Sequence, residues 1–553
     1  MLDVVGVSYR FPVLGSEGRG DAPALVDASL STGDSEVVAL VGSNGAGKST
    51  LARICSGSLA PDEGRVLLDG KEADPAALRR EVGFVRQDPE SQLVAPDVFD
   101  EVAFGPCNLG LPESEVRRRV TEALALCGLE GFERRLVSEL SGGELQRLAV
   151  AGVLAMRPRH LVLDEVTSQL DGTSRQALRR IVRDFAREGA GVLSVTHDVE
   201  EIACADRVVV MEGGTVAWEG TSRELFSDEA LVRRLGFEGD RLAGALVALG
   251  ANGCFDAEAS SEAYLLDLAG REPARAVVRQ VLGSAPAHAD SRGVGGGAAR
   301  PAEEADPTTG PVELDHVSVC YGGLRALDDV SLRCEPSRIT LLVGPSGSGK
   351  STAASVSAGL LEPDAGSVSV AGHLPRAGSV GLCLQRSEDQ VFCDTVVEDV
   401  AFGPVNVGGG ARRARELAER SLRALGVDEG LWERSPFALS GGQRRRVAIA
   451  GILAMRPVAY VFDEPTIGLD AQGREFLHGV VRSVADEGHV VMVVSHDVGE
   501  WLDVADDVVL LDAGRVAWRG TAHELVLDPS PLARAGVVPP LWLRMRQVAC
   551  DGA

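Results

Sequence analysis

Two stretches combine glycine, lysine and hydroxyl side chains at the spacing of a phosphate-binding loop. GSNGAGKST begins at Gly42 and GPSGSGKST begins at Gly344. Glycines let backbone N–H groups converge on phosphate oxygens, the lysine reaches the β- and γ-phosphates, and the next hydroxyl binds Mg²⁺. A coincidental Gly-rich turn is the alternative, but two of the three lysines in the chain stand here. The predicted phosphate-binding residues are Gly42, Asn44, Gly45, Gly47, Lys48, Ser49 and Thr50, and Gly344, Ser346, Gly347, Gly349, Lys350, Ser351 and Thr352.

A second acidic element ends an apolar run in each half, LVLDE at Asp164-Glu165 and YVFDE at Asp463-Glu464. An aspartate at this place would hold Mg²⁺, and the glutamate would orient or deprotonate an attacking water. Acidic residues often simply follow strands, so the pair is weak evidence alone. Its place between LSGG and a histidine favours the catalytic interpretation. The predicted metal ligands are Ser49, Asp164, Ser351 and Asp463.

The motifs recur at a constant interval, which indicates an internal duplication. Ser141 and Ser440, Asp164 and Asp463, and His197 and His496 are each 299 positions apart. Chance would not preserve one interval across three motifs, so the halves are predicted to be two copies of one unit.

Composition narrows the class of protein. The formal charge is −26 and 45% of residues are hydrophobic. An acidic balance disfavours a nucleic-acid partner. No apolar run reaches the length of a membrane helix and no signal pattern opens the chain, which predicts a cytosolic protein, or one held at a membrane by partners. The ten cysteines form no CxxC pair, which favours thiols in a reducing compartment over a metal or disulfide framework.

The elements that position these motifs follow from local patterns. In each copy a β-branched apolar run leads into the glycine loop and then into a helical pattern, as strand, turn and helix. Residues 284–311 are rich in Gly, Ala and Pro and predict a flexible linker. The predicted domains are a first domain at 1–221 that carries one set of motifs, an accessory subdomain at 222–283, the linker, a second domain at 312–527 that carries the other set, and a short tail at 528–553.

LSGG opens a helical pattern in both halves, and with it the chain resembles the ABC ATPase family along nearly its whole length. Alone, LSGG could be a serine N-cap with flexible glycines. The resemblance implies an α/β fold of two P-loop ABC ATPase domains, each with a RecA-like core, an antiparallel β subdomain and a helical signature subdomain. It further implies two ATP molecules with Mg²⁺, each held by the phosphate loop of one half and the signature of the other. The implied signature residues are Ser141, Gly142, Gly143, Ser440, Gly441 and Gly442.

Further site residues are carried over from the family. Gln87 and Gln385 match its glutamine that senses Mg²⁺ and water, and His197 and His496 match its switch histidine. Asp171 and Asp470 match the loop aspartate. Phe11 aligns with Tyr321, where an aromatic face would stack on adenine, or would pack in the core. The catalytic residues implied are Glu165, Glu464, His197, His496, Gln87 and Gln385, the glutamines also contacting the metal.

The first copy departs from the pattern of the second. DEPTIGLD in the second reads DEVTSQLD in the first, with Val166 and Gln169 in place of Pro and Gly. Neither position carries a catalytic side chain, so altered loop geometry is expected and both sites are predicted to hydrolyse ATP.

The segments after Gln87 and Gln385, ending in VAFGPCNLG and VAFGPVNVG, resemble the ATPases of energy-coupling factor (ECF) vitamin and metal transporters. The resemblance implies a membrane coupling protein and a small substrate-binding membrane protein as partners, and a peripheral place on the cytoplasmic face. The pairs Asp100-Glu101 and Glu398-Asp399 would receive arginines from a coupling helix, or are acids in a first helical turn. The alternatives are another tandem importer ATPase, such as a sugar importer's, and a ribosome-associated ABC protein. The transported substrate is not encoded here.

Overall fold

The protein is described from a computed structural model that covers residues 1–11, 22–168, 170–255, 261–283, 310–385, 390–408 and 410–551. The predicted linker, 284–311, lies outside the described residues except for its last two. The chain divides into two compact units. The first holds Met1–Gly283, Asp470–Gln472 and Leu541–Ala553, and the second holds Ser284–Leu469 and Gly473–Pro540.

The first unit is built on two sheets. A six-stranded sheet has the order β10-β9-β3-β8-β7-β6, with parallel pairing except between β9 and β10. A four-stranded antiparallel sheet has the order β2-β1-β4-β5. The central strand β3 (VVALV) is buried throughout, because helices cover both faces of a parallel sheet. The strands are β1 Leu2–Phe11, β2 Ala22–Thr32, β3 Val37–Val41, β4 Glu63–Leu68, β5 Lys71–Glu72, β6 Val82–Val85, β7 His160–Asp164, β8 Gly191–Val195, β9 Arg207–Glu212 and β10 Thr215–Gly220.

Helices of the first unit alternate with these strands and then continue as a helical group. Helices α3, α4 and α5 pack together ahead of β7, and α8 to α12 follow β10. The helices are α1 Lys48–Cys55, α2 Pro75–Glu81, α3 Val98–Asn108, α4 Glu113–Leu126, α5 Gly142–Leu154, α6 Gly172–Arg187, α7 Val199–Ala203, α8 Ser222–Ser227, α9 Glu229–Arg234, α10 Arg241–Ala251, α11 Glu262–Gly270 and α12 Ala274–Leu282.

The second unit repeats the architecture. Its six-stranded sheet has the order β15-β16-β17-β13-β18-β19, and an antiparallel sheet has the order β12-β11-β14. The strands are β11 Val312–Tyr321, β12 Leu324–Cys334, β13 Ile339–Val343, β14 Ala365–Val370, β15 Val380–Cys383, β16 Ala459–Asp463, β17 Val490–Val494, β18 Asp507–Asp512 and β19 Arg515–Thr521. The helices are α13 Lys350–Ser357, α14 Val396–Asn406, α15 Ala411–Ala424, α16 Gly441–Met455, α17 Ala471–Asp486, α18 Val498–Trp501, α19 Ala522–Leu527 and α20 Ser530–Arg534.

The last helix, α21 (Leu541–Asp551), belongs to the first unit, where it packs on α10, α11 and α12. Trp542, Leu543 and Met545 are buried in this contact. The guanidinium of Arg275 donates a hydrogen bond of 2.9 Å to the carbonyl oxygen of Ala549. The segment predicted as a tail therefore contributes a helix to the group that follows the first copy.

The α/β fold with two P-loop ATPase domains is confirmed. Each core lies between the six-stranded sheet, its flanking helices and the antiparallel sheet. Within the described ranges, no helix is both long enough and apolar enough to span a membrane.

Candidate functional site

The first phosphate loop joins β3 to α1. Gly47 has φ of +96°, and a Cβ there would lie 2.5 Å from the carbonyl oxygen of Ala24, so only glycine fits. Lys48 is buried, and its ammonium donates to the carbonyl oxygens of Gly42 at 2.8 Å and Ser43 at 3.0 Å. Burial lowers the pKa of Lys48, although the negative charges of nearby carboxylates act in the opposite direction. Carbonyl oxygens of the loop thus hold the ammonium group of Lys48 in place.

The second phosphate loop has the same geometry between β13 and α13. Gly349 has φ of +97°, and a Cβ there would lie 2.3 Å from the carbonyl oxygen of Ala326. Lys350 is buried and donates to the carbonyl oxygens of Gly344 at 2.9 Å and Pro345 at 2.8 Å. Helices α13 and α1 begin at these lysines, so both loops open onto a helix N-terminus, which favours anions.

Oxygen atoms suited to Mg²⁺ lie next to each loop. The hydroxyl of Ser49 donates to Oδ1 of Asp164 at 2.9 Å. Burial raises the pKa of Asp164, and it raises the pKa of Asp463 to about 6. Oδ1 of Asp463 is buried without a hydrogen-bond partner in the described part of the chain. A buried carboxylate with an uncompensated oxygen beside a hydroxyl is the donor set that Mg²⁺ prefers, so these residues fit the metal.

Two side chains converge on the carboxylate of Glu165. Gln87 donates from Nε2 to Oε2 of Glu165 at 3.0 Å, and Nε2 of His197 lies 3.3 Å from Oε1. Glu165 itself has φ of +50°. The first copy therefore joins three of its predicted catalytic residues at one carboxylate.

Glu464 in the second copy has a related but different surrounding. Nδ1 of His496 lies 2.8 Å from Oε2 of Glu464, and the hydroxyl of Ser495 lies 3.5 Å from the same oxygen. Gln385 is exposed, and residues 386–389 lie outside the described ranges. The copies thus present different ring nitrogens of the histidine to the glutamate.

The signature serines cap helices. Ser141 is the N-cap of α5 and Ser440 the N-cap of α16, each in a capping box with the residue three positions on. A Cβ on Gly142, Gly441 or Gly442 would meet nothing within 4 Å, whereas a Cβ on Gly143 would lie 2.9 Å from Oγ of Ser174, so the start of the second signature helix is more open than that of the first. The N-cap interpretation is confirmed, and contact of these residues with nucleotide stays a prediction.

The two loop aspartates make different contacts. Asp171 caps α6 by accepting from the N–H of Ser174 at 2.8 Å. Asp470, which groups with the first unit, accepts from the N–H of Asn44 at 2.8 Å. Two residues predicted from separate motifs are therefore hydrogen-bonded within one unit.

The ABC transporter family matches residues 25–168 and 327–467, which together exceed half of the chain and contain both loops and both acidic strands. The chain belongs to the ABC transporter ATPase family. As an ABC ATPase it carries two ATPase domains in tandem and hydrolyses ATP.

Known relatives agree with this membership. Two of them carry the name "Putative ABC transporter ATP-binding protein". The one from Bifidobacterium longum is 34% identical, over 93% of this chain and 66% of that protein, so this chain spans about two thirds of its length. The one from Caldanaerobacter subterraneus is 31% identical, over 94% of this chain and 92% of that protein.

A solved structure shares the fold of this ABC ATPase. It is the complex of the archaeal ribosomal stalk protein aP1 with the archaeal ribosome recycling factor aABCE1. The match has a TM-score of 0.59 and 20% identity, and it covers 94% of this chain and 90% of that chain. At this identity the likeness describes the fold alone.

The aromatic residues expected at adenine lie at the surface of the ABC ATPase domains. Phe11 is 42% exposed and Tyr321 is 51% exposed, at the ends of β1 and β11. Core packing, the alternative interpretation, is therefore wrong. Base stacking stays a prediction.

The acidic pairs divide into an internal and an exposed member. Glu101 is buried and accepts from the N–H groups of Val94 at 2.8 Å and Ala95 at 2.6 Å. Asp399 is likewise buried and accepts from the N–H groups that precede its helix. These second acids hold the preceding loop, which leaves Asp100 and Glu398 exposed. Of each acidic pair, only the first residue, Asp100 or Glu398, therefore remains a candidate to receive an arginine from a coupling helix.

Two hydroxyl residues of the switch loops were missed in the sequence. Thr196 accepts from the N–H of Asp198 at 3.0 Å, and Ser495 accepts from the N–H of Asp497 at 3.0 Å. Each of these hydrogen bonds closes a turn around the intervening histidine, His197 or His496, and thereby fixes its position. The signal was the hydroxyl directly before the histidine in both SVTHD and VVSHD.

Of the two residues at which DEVTSQLD in the first copy departs from DEPTIGLD, Val166 is buried, whereas Gln169 lies outside the described residues.

Proposed function

We propose that this ABC ATPase powers import of a vitamin or transition metal ion through an ECF-type membrane complex. Its partners would hold it at the cytoplasmic face of the membrane. The observation that carries the proposal is an apolar surface that recurs in both copies beside the segments that resemble ECF ATPases. Phe104 on α3 is 53% exposed, and Phe402 on α14 is 48% exposed. In the second copy the exposed ring of Phe402 lies beside that of Phe392, and an exposed aromatic pair of this kind favours a protein partner.

A second ring extends the surface of the second copy, where Phe392 is exposed and meets Phe402 edge to face at 4.8 Å. Val94, which stands where the second copy has Phe392, is exposed as well. Asp100 and Glu398 are exposed on the same helices. An apolar patch with an acidic neighbour fits a helix that presents an apolar side chain and an arginine, which is what a coupling helix would offer.

Each ATP site is proposed to use its own phosphate loop and glutamate. Lys48 and Lys350 neutralise phosphate charge, and Glu165 and Glu464 orient and deprotonate the attacking water. Mg²⁺, when bound by Ser49 and Asp164 or by Ser351 and Asp463, neutralises charge that develops on the phosphates. His197 and His496 hold their glutamates and face the γ-phosphate position.

Coupling is proposed to rest on differential affinity. ATP shifts the protein only as far as it prefers one conformation over another, and hydrolysis with phosphate release reverses the shift. The coupling protein would turn that change into a movement of the substrate carrier.

Affinity purification from gently solubilised membranes, followed by mass spectrometry, tests the proposal. We expect a large coupling protein together with one or more small membrane carriers, which would also name the substrate. Phe402→Asp should remove that capture, because a carboxylate would be desolvated in the contact. Leu374→Asp, at an apolar residue exposed elsewhere, should retain it.

Two outcomes would overturn the ECF assignment while leaving the ATPase intact. A conventional permease pair would indicate another importer, such as a sugar importer. Ribosomal proteins would indicate the ribosome-associated class.

A further inference from the structure

The backbone of both proposed catalytic glutamates is strained. Glu165 has φ of +50° and Glu464 has φ of +49°. A left-handed conformation is unfavourable for a non-glycine residue, so the surroundings must hold it in place. The carbonyl oxygen of the glutamate is one point at which the chain can be held.

In the second copy an arginine holds that carbonyl. Arg445 lies on α16, is buried, and donates from Nη2 to the carbonyl oxygen of Glu464 at 3.1 Å. Its Nη1 donates to the carbonyl oxygen of Ile467, three residues further along the same turn. The planar guanidinium therefore spans the turn that begins at Glu464.

In the first copy a hydroxyl group holds the equivalent carbonyl. Ser168 stands where the second copy has Ile467, and its Oγ donates to the carbonyl oxygen of Glu165 at 2.8 Å. Gln146 stands where the second copy has Arg445, and its buried Nε2 has no hydrogen-bond partner within the described ranges. Each copy thus supports the carbonyl of its glutamate with one of two residue pairs, which we call devices. The first copy has Ser168 with Gln146, and the second has Ile467 with Arg445.

We propose that Arg445 is a positioning residue of the second ATP site, and that Ser168 has the same task in the first. The proposal rests on the assigned role of Glu464 and Glu165 as catalytic bases. Neither residue contacts the reacting atoms; each holds the strained backbone from which the glutamate side chain reaches its histidine. We expect the two devices to be exchangeable, because each supplies a donor to the carbonyl oxygen of its own catalytic glutamate.

Exchange of the two devices tests the proposal in the full chain. Arg445→Gln gives the second copy the glutamine of the first and leaves the carbonyl of Glu464 without its donor. We expect kcat of the second site to fall about tenfold, with KM for ATP changed less than about twofold, because misplacement of a base affects the chemical step. Adding Ile467→Ser should restore most of the lost rate. Ile467→Ser alone is the matched control.

Rescue separates positioning from general support of the fold. ATP turnover is measured in the otherwise unchanged chain and in a Glu165→Gln background that isolates the second site, with urea unfolding of each variant. The reciprocal pair in a Glu464→Gln background, Ser168→Ile rescued by Gln146→Arg, gives a second reading if Arg445→Gln fails to fold.

The outcomes are distinct. Unchanged kcat in Arg445→Gln, or no recovery in a folded Arg445→Gln/Ile467→Ser variant, would overturn the positioning role. Full turnover in Glu464→Gln would instead overturn the catalytic assignment on which the proposal rests.

Discussion

The side-chain amide of Gln87 donates a 3.0 Å hydrogen bond to the carboxylate of Glu165, although 78 positions separate them in the chain. The loop after β6 and the end of β7 meet because these strands are parallel neighbours, with Val85 opposite Leu163. The amide and His197 occupy opposite oxygens of the carboxylate. Contacts at both oxygens hold the carboxylate in one orientation, as the proposed role of Glu165 as a base for an attacking water requires.

Removal of the proposed base should separate ATP binding from hydrolysis. In Glu464→Gln we expect hydrolysis at that site to fall at least about 100-fold, because general base catalysis is lost while the phosphate loop is untouched. Phosphate release and binding of a fluorescent ATP analogue measure the two steps. Unchanged turnover would sink the assignment of Glu464, and weakened binding would show that the change reaches the loop.

Loss of the hydroxyl beside each buried aspartate should weaken the binding of Mg²⁺. In a Ser49→Ala, Ser351→Ala double variant we expect the Mg²⁺ concentration for half-maximal ATPase activity to rise about tenfold or more, since one oxygen ligand is gone. Titration of activity with Mg²⁺ at saturating ATP measures it. Ser58→Ala, an exposed serine beyond α1, is the control. An unchanged midpoint in the double variant would argue against hydroxyl ligation.

Acid should destabilise the first unit through His160. Burial lowers the pKa of His160 to about 4, and its Nδ1 has no hydrogen-bond partner among the described residues. The unfolded chain takes up a proton near the ordinary value of 6.5 while the folded chain does not. Stability is therefore lost as pH falls from about 6.5 towards 4, by up to about 3 kcal/mol.

A variant isolates that contribution of His160. The second copy has alanine, Ala459, at the equivalent strand position. His160→Ala should cost stability near pH 7.5 through the cavity it leaves, and that deficit should shrink at pH 5. Urea unfolding at both pH values gives the difference. A deficit that is constant with pH would contradict a buried neutral histidine.

The last helix should stabilise the first unit. Leu543 on α21 is fully buried against the helices that follow the first copy, whereas Val548 on the same helix is 40% exposed. We expect Leu543→Ala to lower the free energy of unfolding by about 2–5 kcal/mol, and Val548→Ala by under about 1 kcal/mol. Calorimetry that resolves the unfolding transitions measures both. Equal effects would mean that α21 does not pack on the first unit in solution.

Much of the fold and of the site could be predicted from short-range patterns. The strand, loop and helix around Lys48 and Lys350 were predicted because glycine spacing and apolar runs act over a few residues. The acidic pairs are less predictable, since no local pattern shows that Glu101 turns inward to two N–H groups while Asp100 stays exposed. The packing of α21 could not be predicted from a local pattern either, because this helix contacts helices that lie more than 250 positions earlier in the chain.

The order of residues alone establishes which chemical groups this protein carries and that it carries them twice. Glycines, lysines, aspartates, glutamates and histidines stand in a fixed order within each copy, and phosphate chemistry depends on those types and local spacings. How each copy holds its glutamate became visible in the folded protein. Arg445 is an ordinary residue in the sequence, and it meets the carbonyl oxygen of Glu464 only because the signature helix and the acidic strand pack in one core. Ser168 meets the equivalent carbonyl oxygen, that of Glu165, from three residues along the same turn. A contact such as that of Arg445 depends on long-range packing, which no local pattern records.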